Sequence, residues 1–368
     1  MPTLYFPLLP PLASDTLTHL SHPEVLPSYP TLAPPLQRAV TFAWRWMRGQ
    51  PRFTVPTSGS TGPPKTIEVT RQQMLASIRN TQRALSLTSD HTALLCIDPA
   101  YIGGMMMLAR ALEIGMDVVG VPPTTDCLQD LPAQANFLAL VPLQLQSLLE
   151  TNSVLLNAAH AILIGGAPVG SDLEEAVRTR VTPPVYSTYG MTETASHVAL
   201  RRLNGSVPED VFRVLGDTQI GTDDRGCLRL RGAVTQHAWI VTNDRVELVD
   251  EQSFRWQGRY DWVINSGGVK VSPEAVEQAA AAQWEGATAP PLLVVGLPDQ
   301  RLGERVVLVV EGRPPSEPDQ QRLLQAVAKA VPRYHAPQQV VYVEMIPRTP
   351  TGKLNRRETV AMLLRTVC

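Results

Sequence analysis

Apolar positions along the chain follow two rhythms. Short unbroken runs at Phe53–Val55, Ala93–Ile97, Asp117–Val121, Ala139–Val141 and Ala161–Ile164 predict strands. Between them, helical spacing predicts helices over Leu36–Met47, Arg71–Leu85, Met105–Leu112, Pro142–Glu150 and Asp172–Arg180. Thr70 with Gln73, and Ser171 with Glu174, have the spacing of a capping box, in which a hydroxyl satisfies an orphan amide. Gly115 falls where a helix wants a left-handed C-terminal residue. This alternation argues for an α/β sheet covered by helices.

After Tyr186 the rhythm changes. Val198–Leu200, Cys227–Arg231, Trp239–Val241 and Arg245–Val249 are closely spaced strands, as in an antiparallel meander or small barrel appended to the sheet. A third pattern opens near Trp262. It has a strand at Val263–Ile264, a helix Pro273–Gln283 begun by Ser272, strands Leu292–Val295 and Val306–Val310, a helix Asp319–Val331 and a strand Val340–Val343. A last helix is capped by Asn355 and Glu358. That sequence of elements suits a separate, small α+β domain.

The 368 residues allow two or three such units. At 44% hydrophobic and 18% charged, the composition is globular, and a net charge of −2 gives no field for nucleic acid or an anionic membrane. The four cysteines, Cys96, Cys127, Cys227 and Cys368, lack the spacing of a zinc site or disulfide framework, which fits reduced cytoplasm. The Pro-rich start has no basic residue before Arg38 and is not a signal peptide. Met105–Val121 is apolar but holds Arg110, Glu113 and Asp117, so no membrane span is expected. The basic residues are 28 arginines and only four lysines: Lys65, Lys270, Lys329 and Lys353.

One dense run carries chemistry: Thr57, Ser58, Gly59, Ser60, Thr61, Gly62, Pro63, Pro64, Lys65, between a predicted strand and a capped helix. Small hydroxyls and glycines let backbone amides approach a polyphosphate, and a lysine supplies counter-charge. A Walker A loop fits Gly59, Lys65 and Thr66 but requires glycine where Pro64 stands, and proline has no amide to offer. The bland alternative is a polar surface turn.

Read with what lies downstream, the run resembles the signature of the adenylate-forming superfamily of acyl-CoA synthetases, adenylation domains and luciferases. The further matches, in order, are Gly165–Pro168, Tyr186–Thr194, Thr242–Asp244, Gly258–Asp261 with Ile264–Gly268, and Pro350–Lys353. The resemblance runs from about Phe53 to the C-terminus. It implies a truncated N-terminal domain (residues 1–258), a hinge (259–261) and a mobile C-terminal domain (262–368). It also implies ATP, Mg²⁺ and coenzyme A as reactants and cofactors.

Residue by residue, the resemblance gives Lys353 the adenylation role and Glu193 the Mg²⁺, with Thr192 at the phosphate. Tyr189 would face adenine, with Gly166, Ala167, Ser187, Thr188 and Gly190 beside it, and Asp244 with Arg259 would hold the ribose. Asp261 matches the hinge about which the C-terminal domain swings from an adenylating to a thiolating pose. Gly267, Gly268 and Lys270 would then meet coenzyme A. Taken singly, Tyr189 would be core packing, the charged residues solvated surface, and the glycine pair an ordinary turn.

The segment Tyr189–Leu203 narrows the resemblance to o-succinylbenzoate:CoA ligases of menaquinone biosynthesis, especially short forms. Tyr101, Gly190, Met191, Ser196 and His197 are the candidates for the acyl group, the polar ones for its second carboxylate; a histidine merely satisfied by its neighbours is the rival reading of His197. Another aryl- or acyl-CoA ligase, an adenylation enzyme loading a carrier protein, and a non-catalytic nucleotide sensor remain open. Only about fifty residues precede the phosphate loop, fewer than in most relatives, and a homodimer partner is the candidate to replace the missing layer.

Overall fold

The computed structural model describes residues 3–5, 32–56, 66–125, 128, 131, 134–206, 209–284, 289–349 and 352–366. The first part runs β1 (Leu4–Tyr5), α1 (Pro34–Met47), β2 (Arg52–Pro56), β3 (Thr66–Thr70), α2 (Arg71–Leu85), β4 (Thr92–Leu95), α3 (Ile102–Ile114), β5 (Asp117–Gly120) and β6 (Phe137–Leu140). It continues with α4 (Pro142–Thr151), α5 (Ser153–Asn157), β7 (Ala161–Ile164), α6 (Ser171–Arg180) and β8 (Val185–Met191). Strands β9 (Ser196–Arg202), β10 (Phe212–Val214), β11 (Gln219–Thr222), β12 (Cys227–Arg231), β13 (Ile240–Asp250) and β14 (Ser253–Arg259) follow.

These strands, except the β2–β3 hairpin, form one twelve-stranded sheet in the order β1-β5-β4-β6-β7-β8-β9-β10-β14-β13-β12-β11. From β1 to β8 it is parallel, and from β9 onward antiparallel. Strand alternation sorts side chains between two layers. Leu95, Ala161 and Leu163 pack with Trp46, Met74, Ile78 and Met106 of α1, α2 and α3. Leu94, Ile162 and Ile164 pack on the other face with Leu145 and Leu148 of α4. The parallel half is therefore a three-layer sandwich, as its near-continuous apolar strands require.

The C-terminal part comprises β15 (Ile264–Ser266), β16 (Val269–Val271), α7 (Pro273–Ala281), β17 (Leu292–Asp299), β18 (Gly303–Glu311), α8 (Glu317–Ala330), β19 (Gln339–Val343) and α9 (Arg356–Thr366). Its five-stranded sheet is separate and covered on both faces. The α/β expectation with a smaller α+β domain is thus met.

Several local expectations are corrected. The run Thr57–Lys65 does not lead straight into a helix: β3 intervenes and pairs with β2, Pro56 opposite Thr66. Ser171 is the first helical residue rather than a cap, because Gly170 takes that place, and Glu174 pairs instead with Arg201. Trp239–Val241 and Arg245–Val249 are not two strands, since β13 runs through both with irregularities in its register. The antiparallel region continues the main sheet through the β8–β9 pair. Thr70 and Gln73 do form the capping box, and Gly115 does close α3 in the left-handed region.

Candidate active site

Parallel strands in an open α/β sheet present ligand sites at their C-terminal ends. Strand β7 ends at Ile164, opposite Ser187 of β8, so the Gly165–Pro168 turn and the residues Ser187–Tyr189 emerge side by side. The Thr188 hydroxyl donates to the carbonyl of Ile164 at 3.0 Å, joining the two segments that resemblance assigns to adenine.

The antiparallel register places the next pair. Asp244 of β13 stands directly across from Arg259 of β14, fifteen residues away in sequence but neighbours in the ladder. Asp244 is buried; it accepts the Tyr189 hydroxyl at 2.7 Å and the Trp256 indole N–H at 3.2 Å, with the Arg259 guanidinium at 3.8 Å. Burial and the Asp244 carboxylate push the Tyr189 phenol well above its ordinary range, so it remains a donor. Arg259 also grips Asp261 with two hydrogen bonds, 2.9 and 2.8 Å. Tyr189, Asp244, Arg259 and Asp261 therefore form one polar group.

Lys353 belongs to the same neighbourhood. The Thr349 amide donates to the Lys353 carbonyl at 2.7 Å, and the Lys353 amide donates to the Thr349 hydroxyl at 3.2 Å. Burial, and then the charge of Arg259, lower the Lys353 ammonium below its ordinary range. An ammonium disfavoured by burial and by a neighbouring guanidinium is relieved by an approaching anion.

A second group lies where β8 turns into β9. The pairing Gly190 with His197 and Met191 with Ser196 closes this turn, and Ala195 and Ser196 both have positive φ, 52° and 110°. A Cβ on Gly190 would stand 2.2 Å from the Ser196 carbonyl oxygen, so only glycine fits. Backbone strain of this kind persists where the surroundings enforce it, and it clusters at functional sites.

His197 is buried, and its Nε2 lies 2.9 Å from the Thr81 hydroxyl of α2. That hydroxyl already donates to the Ser77 carbonyl at 3.0 Å, which assigns the neutral Nε2–H tautomer to His197. Burial, and then Arg110, hold this imidazole well below its usual titration range.

Arg110 is the residue that motif reading missed. It projects from α3 at 2% exposure, has no carboxylate partner among the described residues, and donates from Nη2 to the Ser196 hydroxyl at 3.3 Å. Its Nε is buried without a partner, and burial pushes its pKa down to about 9. At neutral pH it remains a cation, and desolvating an unpaired one costs on the order of several kcal/mol. A single arginine inside the apolar run Met105–Leu112 was the available signal.

Of the other expected positions, Thr192 and Glu193 lie inside the β8–β9 turn itself. Tyr101 precedes α3 beside Arg38, which ion-pairs with Asp98 at 2.5 Å. Gly267 and Gly268 form the β15–β16 turn with φ of 58° and 82°, and Lys270 is exposed on β16. Thr192 and Glu193 occupy a short helical turn after β8, with Glu193 exposed. No cluster of three metal-ligating side chains occurs among the described residues, and the exposed Glu193 carboxylate is a hard oxygen donor of the kind Mg²⁺ takes. Thr57, Ser58, Gly59, Ser60, Thr61, Gly62 and Lys65, with Pro350 and Thr351, lie outside the described residues. Among the described residues no helix is long and apolar enough to cross a membrane.

Comparison with known proteins places the chain within a family. The family model described as AMP-binding enzyme matches residues 46–254, and that of the AMP-binding enzyme C-terminal domain matches 274–353. A probable 2-succinylbenzoate–CoA ligase of Mycobacterium tuberculosis (strain H37Rv) is 29% identical, covering 83% of this chain and 82% of its own. The crystal structure of an acyl-CoA synthetase (AMP-forming)/AMP-acid ligase II-like protein from Dyadobacter fermentans is 37% identical with a TM-score of 0.61. It covers 95% of this chain and 98% of its own, so the two match nearly end to end. The o-succinylbenzoate CoA synthetase of Bacillus subtilis, solved with its acyl-adenylate, has a TM-score of 0.71 at 23% identity, over 83% of this chain and 68% of its own. The chain belongs to the AMP-binding enzyme family, as an AMP-forming acid:thiol ligase.

Proposed function

We propose that the protein activates o-succinylbenzoate as its acyl-adenylate and transfers the acyl group to coenzyme A, a step of menaquinone biosynthesis. The observation that carries this reading is Arg110, a buried cation without a carboxylate partner among the described residues, beside Ser196 and the neutral His197. A ligand with a second carboxylate would supply the missing charge, and Ser196 and His197 would add hydrogen bonds around it. A monocarboxylic acid would leave Arg110 uncompensated. The name of the Mycobacterium tuberculosis relative supports the same substrate.

The remaining residues divide the work. Tyr189, Asp244 and Arg259 bind the nucleoside, and Glu193 would hold Mg²⁺, which when bound would offset phosphate charge. Thr192 and the Thr57–Lys65 run contact the phosphates. Lys353 faces the substrate carboxylate and the α-phosphate, where the charge of two approaching anions builds. After the C-terminal domain rotates about Asp261, the Gly267–Gly268 turn offers bare backbone to the thiol arm, with Lys270 near a coenzyme A phosphate.

Pyrophosphate release with ATP and a panel of aromatic acids tests the substrate. o-Succinylbenzoate should exceed benzoate and phenylacetate by about 100-fold or more in kcat/KM, the scale of a lost buried charge pair. Equal rates with monocarboxylates would refute the substrate. Pyrophosphate release without thioester in the presence of coenzyme A would point to a carrier protein as acceptor.

A further inference from the structure

The segment that joins the two sheets carries an aromatic residue that the family motifs do not use. Trp262 ends the short helical turn Tyr260–Trp262, between β14 and β15. Its ring carries two guanidinium groups, Arg259 at 5.2 Å and Arg356 at 4.7 Å from the ring centroid. Both arginines are otherwise fixed. Arg259 is held by Asp261 and faces Asp244, while Arg356 bonds Glu277 of α7 at 2.6 Å and the Val294 carbonyl of β17.

Arg356 opens α9, three residues after Lys353. Trp262 therefore links the polar group around Asp244 to the frame that carries the Lys353 loop. A parallel link runs through α7, where Glu274 accepts the Arg259 amide at 3.4 Å and the Ser272 hydroxyl at 2.9 Å. Gly258 has a φ of 114° and lies against Glu274, where a Cβ would come within 2.7 Å of its carboxylate.

We propose that Trp262 is a positioning residue for acid activation: its ring joins Arg259 to Arg356 and so holds the Lys353 loop beside the nucleotide side of the site. The inference rests on the reading of Lys353 and the hinge given above. A contact made across a joint exists in one pose and is broken when the joint turns, so it favours only the half-reaction performed in that pose. Cation–π pairs are strongest when desolvated, and Trp262 is half-buried with both guanidiniums tied elsewhere.

Trp262→Leu keeps apolar bulk without a π-face, and Trp262→Phe keeps the face. We expect Trp262→Leu to slow pyrophosphate release about tenfold, the scale of two such contacts. Thioester formation from preformed acyl-adenylate should stay within about twofold of the unsubstituted protein, and Trp262→Phe should recover most of the first rate. Lys353→Ala, run alongside, reports on the underlying reading: it should abolish acid activation and spare thiolation. If Lys353→Ala lowers both half-reactions equally, the two-pose reading falls and the Trp262 inference with it. If Lys353→Ala behaves as expected while Trp262→Leu either matches Trp262→Phe or slows both half-reactions alike, the inference alone is overturned.

Discussion

Arg110 and His197 make opposite demands on the same few cubic ångströms, and both can be tested one residue at a time. Arg110→Met removes a buried charge that no carboxylate pairs among the described residues. Such replacements are often neutral or stabilising by about 1–4 kcal/mol, so the melting temperature should hold or rise. Activity with the dicarboxylate should fall by about 100-fold or more, with little change for benzoate. A fall in both stability and benzoate turnover would mean that Arg110 is structural. His197 gives a pH signature. Its folded pKa is depressed, so the unfolded chain takes the proton first, and stability is lost as pH falls below the ordinary histidine value of about 6.5. His197→Gln, which can still donate to Thr81, should flatten the stability profile between pH 6.5 and 5 as read by thermal melts. An unchanged slope would assign the acid loss elsewhere.

At the scale of elements, the capping box at the start of α2 separates frame from chemistry. Thr70→Ala should cost about 1 kcal/mol and lower the melting temperature by about 2–4 °C, with kcat/KM unchanged. A matching loss of kcat/KM would show that α2, through Thr81, sets the acyl site directly. The same element shows what sequence reading can reach. Thr70, Gln73 and the apolar stripe of α2 act within one helix, and local rules describe them fully. Asp244 and Arg259 were legible as motif residues, but their cross-strand pairing was not, because register depends on the irregularities in β13. Arg110 was overlooked for a related reason. Helical periodicity marks it as a flaw in an apolar face, and only tertiary packing reveals that its head group meets Ser196 across α3 and β9. The β3 strand was legible in the strict polar–apolar alternation of Thr66–Thr70 and was passed over because these five residues lie directly between the Thr57–Lys65 run and the helix that starts after the Thr70 cap.

At the scale of the molecule, the two sheets meet through a segment of a few residues, and Arg259, Trp262, Glu274 and Arg356 gather around it. The match with the Dyadobacter fermentans protein spans both sheets, since it covers 95% of this chain. The large sheet has a seam at β8, bonded to parallel β7 on one edge and antiparallel β9 on the other. Parallel strands close only through long crossovers, whereas much of the antiparallel half closes through nearby turns, so the halves differ in the loop entropy they must overcome. Tyr189 and Gly190 lie on that seam, one in each candidate subsite, and neither subsite exists until both halves have docked on β8. Catalytic competence is thereby a reporter of cooperativity: it vanishes with whichever half of the sheet lets go first, and it returns only when the last one has joined.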